Sequence, residues 1–255
     1  MTGAKPIVRV PQSAEGAVLL LHGILSAPQF FDFLLPVIPE RCAVSAPLFE
    51  GHGGDVSGLY HTSLSRWRRQ AKAAFRRLRE RYGRVCIIAH SMGTLFAAEL
   101  AVRYPEAVPD MLLLNMPLYA HLTAEGAWRS LQVGMNASAE GSPELAAAKR
   151  AYFMQPDSFL PDYLGWLPRY LELFREMETV RGLLPQFHGE AAVFQSARDE
   201  LVSPRSDALL RQHPSFRCGL LRESTHFYYS PQDVQEIRQT AAQCIRNSIT
   251  RGEEP

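Results

Sequence analysis

The chain has 255 residues, 46% of them hydrophobic, which is enough for one large domain or two small ones. Its 27 basic and 26 acidic residues leave a net charge of +1, so no overall field attracts it to nucleic acid or to an anionic membrane. The start of the chain lacks the apolar run of a signal peptide, and the longest purely aliphatic run, residues 17–21, is far too short for a membrane helix. We therefore expect a cytoplasmic protein that does not bind nucleic acid and does not insert stably into a membrane.

The cysteines exclude two further classes of protein. They are widely spaced and form no C-x-x-C pair, which excludes a disulfide scaffold and a zinc ribbon. Three of them lie in or beside apolar runs, where reduced thiols are usually buried. The four residues are Cys42, Cys86, Cys218 and Cys244.

Short apolar runs alternate along the chain with longer stretches in which apolar residues recur at helical spacing. Strands are expected at residues 17–22, 84–89, 111–115 and 191–196, with weaker ones at 41–46 and 216–221. Helices are expected from Ser63 or Ser65 to Tyr82, over residues 92–104 and over residues 231–249. This alternation predicts an α/β fold with a doubly wound, mostly parallel sheet, whose sites lie at the carboxyl ends of the strands.

Residues 117–185 interrupt the alternation, because they contain no strand-like run and are rich in Leu, Tyr, Met and Trp. Helices are expected within them at 143–154 and 162–180. We interpret this segment as a helical insertion over the sheet's edge, with residues 1–116 and 186–255 forming the core of a single domain. Long connections in compact domains tend to carry function, which favours a lid or pocket wall over an extra packing layer.

Ser91 is the candidate nucleophile. It stands in the sequence AHSMG at residues 89–93, directly after a predicted strand and directly before a predicted helix. This arrangement is typical of a nucleophile elbow, a sharp turn that raises the serine hydroxyl above the sheet and needs small residues two positions before and after it. Such a pentapeptide occurs by chance in roughly one chain in five of this length, so the flanking strand and helix carry the prediction.

A serine hydroxyl needs a histidine to accept its proton and a carboxylate to orient that histidine. Among the eight histidines, His226 is the one that follows the last predicted strand and precedes the last helix. Asp199 follows the strand at 191–196, so the chain order is serine, acid, histidine, as expected for an elbow on such a sheet. Glu200 and Asp207 are the less favoured alternatives for the acid.

The negative charge that develops on a substrate oxygen needs two backbone donors. The N–H of Met92, directly after the nucleophile, is expected to be one of them, and the N–H of Ile24, after the first long strand, the other. Gly23 lets the backbone approach the substrate closely, and His22 is expected to brace this loop rather than to titrate during catalysis.

Five segments carry a resemblance to a known family: LLLHGI at 19–24, APLFEGHG at 46–53, AHSMG at 89–93, DELV at 199–202 and STH at 224–226. The chain resembles the α/β-hydrolases, and among them the small bacterial carboxylesterase and monoacylglycerol-lipase group, from about residue 18 to residue 249. The resemblance implies an α/β-hydrolase fold and a serine esterase that cleaves carboxylic esters of small alcohols or glycerol through an acyl-enzyme, with no cofactor. Ala89 replaces the usual first glycine of the elbow, and Thr225 stands where a glycine often precedes the histidine.

The same triad supports other reactions, so several alternatives stay open. Among enzymes these are a monoacylglycerol lipase or lysophospholipase, a thioesterase, an acyltransferase, and an amidase or peptidase. A non-enzymatic alternative is a small-molecule binding protein on a hydrolase scaffold. The sequence does not indicate acyl chain length, alcohol preference or oligomeric state.

The predicted helix at 65–82 carries eight basic residues and one acid, Glu80. A basic stripe of this kind can dock on anionic lipid or nucleic acid, but we favour a solvated outer face of a helix that covers the sheet. No G-K-[ST] or H-E-x-x-H sequence occurs, so neither a nucleotide nor a catalytic metal is expected. The expected partner is a small ester.

Overall fold

A computed structural model describes residues 3–152 and 160–250. Within these ranges seven strands form one sheet in the order β1-β3-β2-β4-β5-β6-β7. The β1 strand runs antiparallel to β3, and the other neighbours are parallel. The strands are β1 (Ile7–Arg9), β2 (Gly16–Leu21), β3 (Cys42–Ala46), β4 (Cys86–His90), β5 (Asp110–Leu114), β6 (Glu190–Ser196) and β7 (Phe216–Leu221). The predicted doubly wound, mostly parallel sheet is thus confirmed.

Seven α-helices accompany these strands in the described residues, and short 3-10 turns connect several of them. The helices are α1 (Leu64–Tyr82), α2 (Met92–Arg103), α3 (Ala124–Gly134), α4 (Pro143–Ala151), α5 (Leu167–Leu183), α6 (Pro204–Leu210) and α7 (Pro231–Thr250). None of these helices is long and apolar enough to span a membrane.

The central strands are buried on both faces, which explains their continuous apolar sequences. All residues of β2, β4 and β5 are buried. Side chains alternate between two core layers, so Leu19 and Leu21 pack on the side of α1 and α2, whereas Val18 and Leu20 pack on the side of α7.

The α1 helix shows how the sequence sets the limits of an element. The Ser63 hydroxyl accepts a hydrogen bond from the Arg66 N–H at 3.3 Å, so Ser63 rather than Ser65 caps the helix. Gly83 ends it with a φ of 73°, a value that favours glycine. One face buries apolar side chains at a spacing of three or four residues against the sheet. These are Leu64, Trp67, Ala71, Ala74, Phe75 and Leu78.

Two elements, β1 and α3, were not expected from the sequence. The β1 strand is only three residues long and partly exposed at the edge of the sheet, so it has no continuous apolar run. The α3 helix contains two glycines and exposes Trp128, which hides its apolar spacing. Beyond residue 152, the helix expected at 143–154 falls outside the described residues.

The insertion leaves the sheet after β5 and returns at β6, which are neighbouring strands. It contacts segments that follow strands: the Trp166 indole N–H donates to the Val56 carbonyl at 2.9 Å, and the His121 N–H donates to the Leu201 carbonyl at 3.0 Å. The insertion therefore lies over the carboxyl ends of the strands, where sites are found in parallel sheets.

Candidate active site

Ser91 occupies a strained turn between β4 and α2. Its φ of 51° and ψ of −126° place a residue with a side chain in the left-handed half of conformational space. The Ser91 N–H donates to the Leu114 carbonyl at 2.9 Å, and the Thr94 hydroxyl donates to the Ser91 carbonyl at 2.6 Å. These hydrogen bonds stabilise a backbone conformation that would be unfavourable in an isolated peptide.

Two glycines allow other backbone segments to approach the turn. A Cβ atom on Gly93 would overlap the Leu21 carbonyl oxygen and would lie 2.9 Å from that of His22. A Cβ atom on Gly23 would lie 2.9 Å from the Ser91 Cβ and 3.4 Å from its Oγ. Only glycine fits at either position without a backbone shift.

We expect Gly93→Ala to lower the free energy of unfolding by about 1–3 kcal/mol, because the added methyl group overlaps backbone atoms that cannot move aside. Urea denaturation followed by circular dichroism measures this change. The matched control is Gly182→Ala in α5, where a Cβ atom meets no heavy atom within 4 Å, so stability should be unchanged or raised by up to about 1 kcal/mol. Equal stability of both variants would contradict the packing explanation.

His226 faces the Ser91 hydroxyl across a short gap. Its Nε2 lies 3.0 Å from the Ser91 Oγ, within hydrogen-bond distance, and its side chain is buried. The loop that carries it is closed by Thr225, whose N–H donates to the Tyr228 carbonyl at 2.9 Å and whose hydroxyl accepts from the Tyr228 N–H at 3.2 Å. The threonine at the position where glycine often occurs in the family thus contributes its own bond to the turn.

Asp199 lies on the opposite side of the His226 ring. Its Oδ2 accepts from the His226 Nδ1–H at 2.8 Å, and its Oδ1 accepts from the backbone N–H groups of Leu201 and Val202, each at 2.8 Å. Both carboxylate oxygens are therefore held, which fixes the plane of the group that orients the ring. The structure brings together the three side chains that the sequence analysis selected. Asp207, one of the two alternative acids, lies instead in α6 and pairs with Arg211 at 2.7 Å.

Burial and neighbouring negative charges shift the pKa of His226 in opposite directions. Burial lowers the pKa of its imidazole, but the Asp199 carboxylate, its hydrogen bond and the Glu200 carboxylate together raise it by more, so the pKa is above the ordinary value. The neighbouring His90 has no such carboxylate, and burial lowers its pKa well below the ordinary value. His90 is therefore an uncharged neighbour near neutral pH, and of the two rings His226 is the one that binds a proton more readily.

Two residues that the sequence analysis left without a role hold the His226 backbone. The His90 Nε2–H donates to the His226 carbonyl at 3.0 Å, and the Asn115 side-chain amide donates to the same oxygen at 3.2 Å. The Asn115 side-chain oxygen accepts from the Ser196 N–H at 2.9 Å. Asn115 follows β5 with a φ of 52°, a conformation that asparagine tolerates better than most residues.

The loop after β2 is braced from behind, as expected for His22. The Phe49 N–H donates to the His22 Nε2 at 3.2 Å, so the proton is on Nδ1, which donates to the Gly23 carbonyl at 2.8 Å. Burial lowers the pKa of His22 well below the ordinary value, which keeps it neutral. Ile24 follows Gly23 directly, and Met92 opens α2, where the first N–H groups have no partner within the helix.

A groove of about 500 Å³ borders this site. It lies between α4, the turn at Pro28–Phe31 and the loop after His226, and most of its wall is aromatic or aliphatic. The Phe30 ring in this wall stacks on the His90 ring with centroids 4.1 Å apart, and Phe227 follows His226 in the chain. The groove thus begins one side chain away from the His226 ring.

Several basic side chains of α1 are paired with acids. Arg66 contacts Glu50 at 2.5 Å, and Arg76 contacts Glu80 at 3.6 Å. Arg68 bridges two acids, Glu99 at 3.0 Å and Glu176 of α5. These ion pairs partly neutralise the positive charge of α1.

A family model described as the alpha/beta hydrolase family matches residues 18–240. The match covers most of the chain, and the sheet and the elbow agree with it. The protein therefore belongs to the α/β hydrolase family.

Curated relatives of this chain include human proteins. A serine hydrolase-like protein of Homo sapiens is 31% identical over 104 residues, which are 40% of this chain and 50% of the human protein. Human serine hydrolase-like protein 2 is also 31% identical over 104 residues, or 32% of its length. The chain thus spans about half the length of the first relative and about a third of the second.

Solved structures show the same fold at lower identity. A structure described under LipS and LipT, two metagenome-derived lipolytic enzymes, has a TM-score of 0.74 and 22% identity, and the match covers 96% of this chain and 99% of that one. The thioesterase domain from the curacin biosynthetic pathway has a TM-score of 0.64 and 16% identity, with coverage of 94% and 93%. At these identities the similarity concerns the fold.

Proposed function

We propose that the protein is a serine carboxylesterase with Ser91 as nucleophile, His226 as general base and acid, and Asp199 as the group that orients the histidine. The observation that carries this proposal is the continuous chain of contacts from the Ser91 Oγ to the His226 Nε2 at 3.0 Å and from the His226 Nδ1 to the Asp199 Oδ2 at 2.8 Å. The strained turn at Ser91 supports it, because strain at a single serine is typical of functional sites.

In this proposal the Ser91 Oγ forms a bond to the ester carbonyl carbon while its proton moves to the His226 Nε2. The N–H groups of Ile24 and Met92 stabilise the oxyanion of the tetrahedral intermediate. Collapse of this intermediate breaks the bond to the alcohol oxygen, which takes the proton from His226. Water then attacks the acyl-enzyme, gives its proton to His226, and releases the acid as Ser91 regains its proton.

The ester is a small molecule with an apolar portion. The aromatic groove beside His226 is the proposed site for this portion, since burial of apolar surface favours binding by about 25 cal/mol per Å². In this proposal the insertion provides one wall of the groove through Ala147 and Ala151 of α4. The proposed reaction uses no cofactor or metal, and the cytoplasmic location stays a prediction.

The test is turnover of p-nitrophenyl esters from acetyl to palmitoyl, together with labelling of the protein by a fluorophosphonate and mapping of the label by peptide mass spectrometry. We expect turnover of at least part of the series and a label on Ser91. Faster turnover of matched acyl thioesters than of oxygen esters would favour a thioesterase. Absence of both turnover and label would overturn the proposal and favour a binding protein on a hydrolase scaffold.

A further inference from the structure

A buried ion pair joins the insertion to the loop that carries Asp199. Arg129 of α3 contacts the Glu200 Oε1 through its guanidinium, and the residues are 9% and 5% exposed. Arg129 also pairs with Glu125, one turn earlier in the same helix, at 2.5 Å. Because water does not hydrate charges at this depth, each charge of the pair depends on its partner and on neighbouring protein groups.

The second carboxylate oxygen of Glu200 contacts the backbone of the proposed catalytic histidine. The Glu200 Oε2 accepts from the His226 N–H at 3.1 Å. One carboxylate therefore connects Arg129 of the insertion to the residue that faces Ser91. From its position in the sequence, Glu200 was an alternative acid for the His226 ring, but Asp199 makes that contact.

The surroundings of Glu200 leave it little freedom to move. A Cβ atom on Gly126 of α3 would lie 2.7 Å from the Glu200 Cβ, so the helix backbone rests directly on this side chain. The Thr123 N–H donates to the Glu200 carbonyl at 3.2 Å, and Tyr152 and Phe227 line the small space beside the ion pair. A shift of α3 would be transmitted to Glu200 and from there to the His226 backbone.

We propose that Arg129 and Glu200 are positioning residues, through which the insertion holds His226 in line with Ser91 and Asp199. This inference rests on the proposed function. It also makes α3 part of the fixed frame of the site, because any closure of the insertion that carried α3 away would separate a buried ion pair.

The charges around His226 give the two residues opposite effects on its titration. The groups that face it are the carboxylates of Asp199 and Glu200, the neutral His90 ring, and Arg129 behind Glu200. Tyr229, on its own loop, stays protonated, because burial raises its pKa well above the ordinary value. The Glu200 charge raises the pKa of His226, and we expect the positive charge of Arg129, which is paired with that carboxylate, to oppose the effect.

The test uses Arg129→Met, Glu200→Gln and the double variant, with kcat, KM and the pH dependence of kcat/KM measured on a soluble p-nitrophenyl ester. We expect kcat to fall by roughly 10²-fold in Arg129→Met, with a smaller change in KM, because the histidine is displaced. The acid limb of the profile should move to higher pH in Arg129→Met, which leaves Glu200 uncompensated, and to lower pH in Glu200→Gln. The double variant should lie between them.

Matched controls come from α5, where Arg175 and Glu178 are exposed. Arg175→Met and Glu178→Gln should leave kcat and the acid limb unchanged. If Arg129→Met does not fold, Glu200→Gln still tests the inference, since glutamine keeps an oxygen for the His226 N–H but removes the charge. Arg129→Lys keeps the positive charge and should leave the acid limb in place. An acid limb that does not move to lower pH in Glu200→Gln would overturn the proposal and assign the pair a purely structural role.

An NMR titration of the His226 ring separates this inference from the proposed function. The ring titrates whether or not an ester is hydrolysed, so opposite shifts of its titration midpoint in Arg129→Met and Glu200→Gln would support the coupling without any turnover. Loss of ester turnover in the wild type would contradict the proposed function alone. Unchanged midpoints in both variants would contradict the positioning role alone.

Discussion

Replacing Ser91 with alanine is expected to lower kcat for p-nitrophenyl esters by about 10⁶-fold, the loss typical of a serine that forms the covalent intermediate. The variant lacks the oxygen that forms the acyl-enzyme, so only binding and the oxyanion donors remain to promote attack by water. Steady-state kinetics with an active-site titration of the wild type measures the change. The same variant should lose its fluorophosphonate label.

Ser57→Ala is the matched control, because Ser57 is an exposed serine whose hydroxyl donates to Asp55 at 2.7 Å, far from His226 in the chain. It should keep wild-type kcat and the label. Circular dichroism of Ser91→Ala should match the wild type, since the change removes one oxygen. A Ser91→Ala protein that keeps a large fraction of the wild-type rate would show that another nucleophile carries the reaction.

Asp199→Asn is expected to lower kcat by about 10⁴-fold. The amide that faces the Nδ1 of His226 no longer favours the tautomer whose Nε2 accepts the Ser91 proton, and it no longer stabilises the imidazolium. The Asp199 carboxylate raises the pKa of His226, so its removal lowers that pKa. Because the protonated ring cannot act as a base, wild-type activity falls as pH falls through the raised pKa, and in the variant this loss should occur at lower pH.

The measurement is the pH dependence of kcat/KM for the wild type and for Asp199→Asn, with a higher enzyme concentration for the slower variant. Asp207→Asn is the control, because Asp207 is a carboxylate of the same region that pairs with Arg211 in α6. It should keep both the rate and the acid limb. An Asp199→Asn protein whose acid limb moves to higher pH would contradict the role assigned to this carboxylate.

The sequence predicts the centre of the sheet well, because strands buried on both faces must be continuously apolar. The β2 and β4 strands are of this kind, and their ends were expected within one or two residues of the observed ones. The edge strand β1 lacks such a run, since pairing on one side and exposure on the other place no strong demand on its residues. The α3 helix was missed because it is defined by its contacts with the loop after β6 rather than by its own apolar face.

The residues of the candidate site also fall into two groups, those that the sequence predicts and those that it does not. Ser91, Asp199 and His226 follow predicted strands and have side chains whose chemistry is specific, so chain order was sufficient to select them. Asn115 and Glu200 contact the backbone of His226 from positions 111 and 26 residues away in the chain. A side chain that contacts a backbone group does not restrict which residue supplies that group. Nothing in a single sequence therefore indicates that the two positions are in contact.

Four neighbouring parallel strands are each followed by a residue of one hydrogen-bonded network: Ser91 after β4, Asn115 after β5, Asp199 after β6 and His226 after β7. Because the network joins segments that follow four neighbouring strands, we expect it to belong to the cooperative unit that the sheet forms. Loss of activity on heating should therefore coincide with melting of the sheet instead of preceding it. Residual activity and far-ultraviolet circular dichroism, followed in one temperature series, should give the same midpoint.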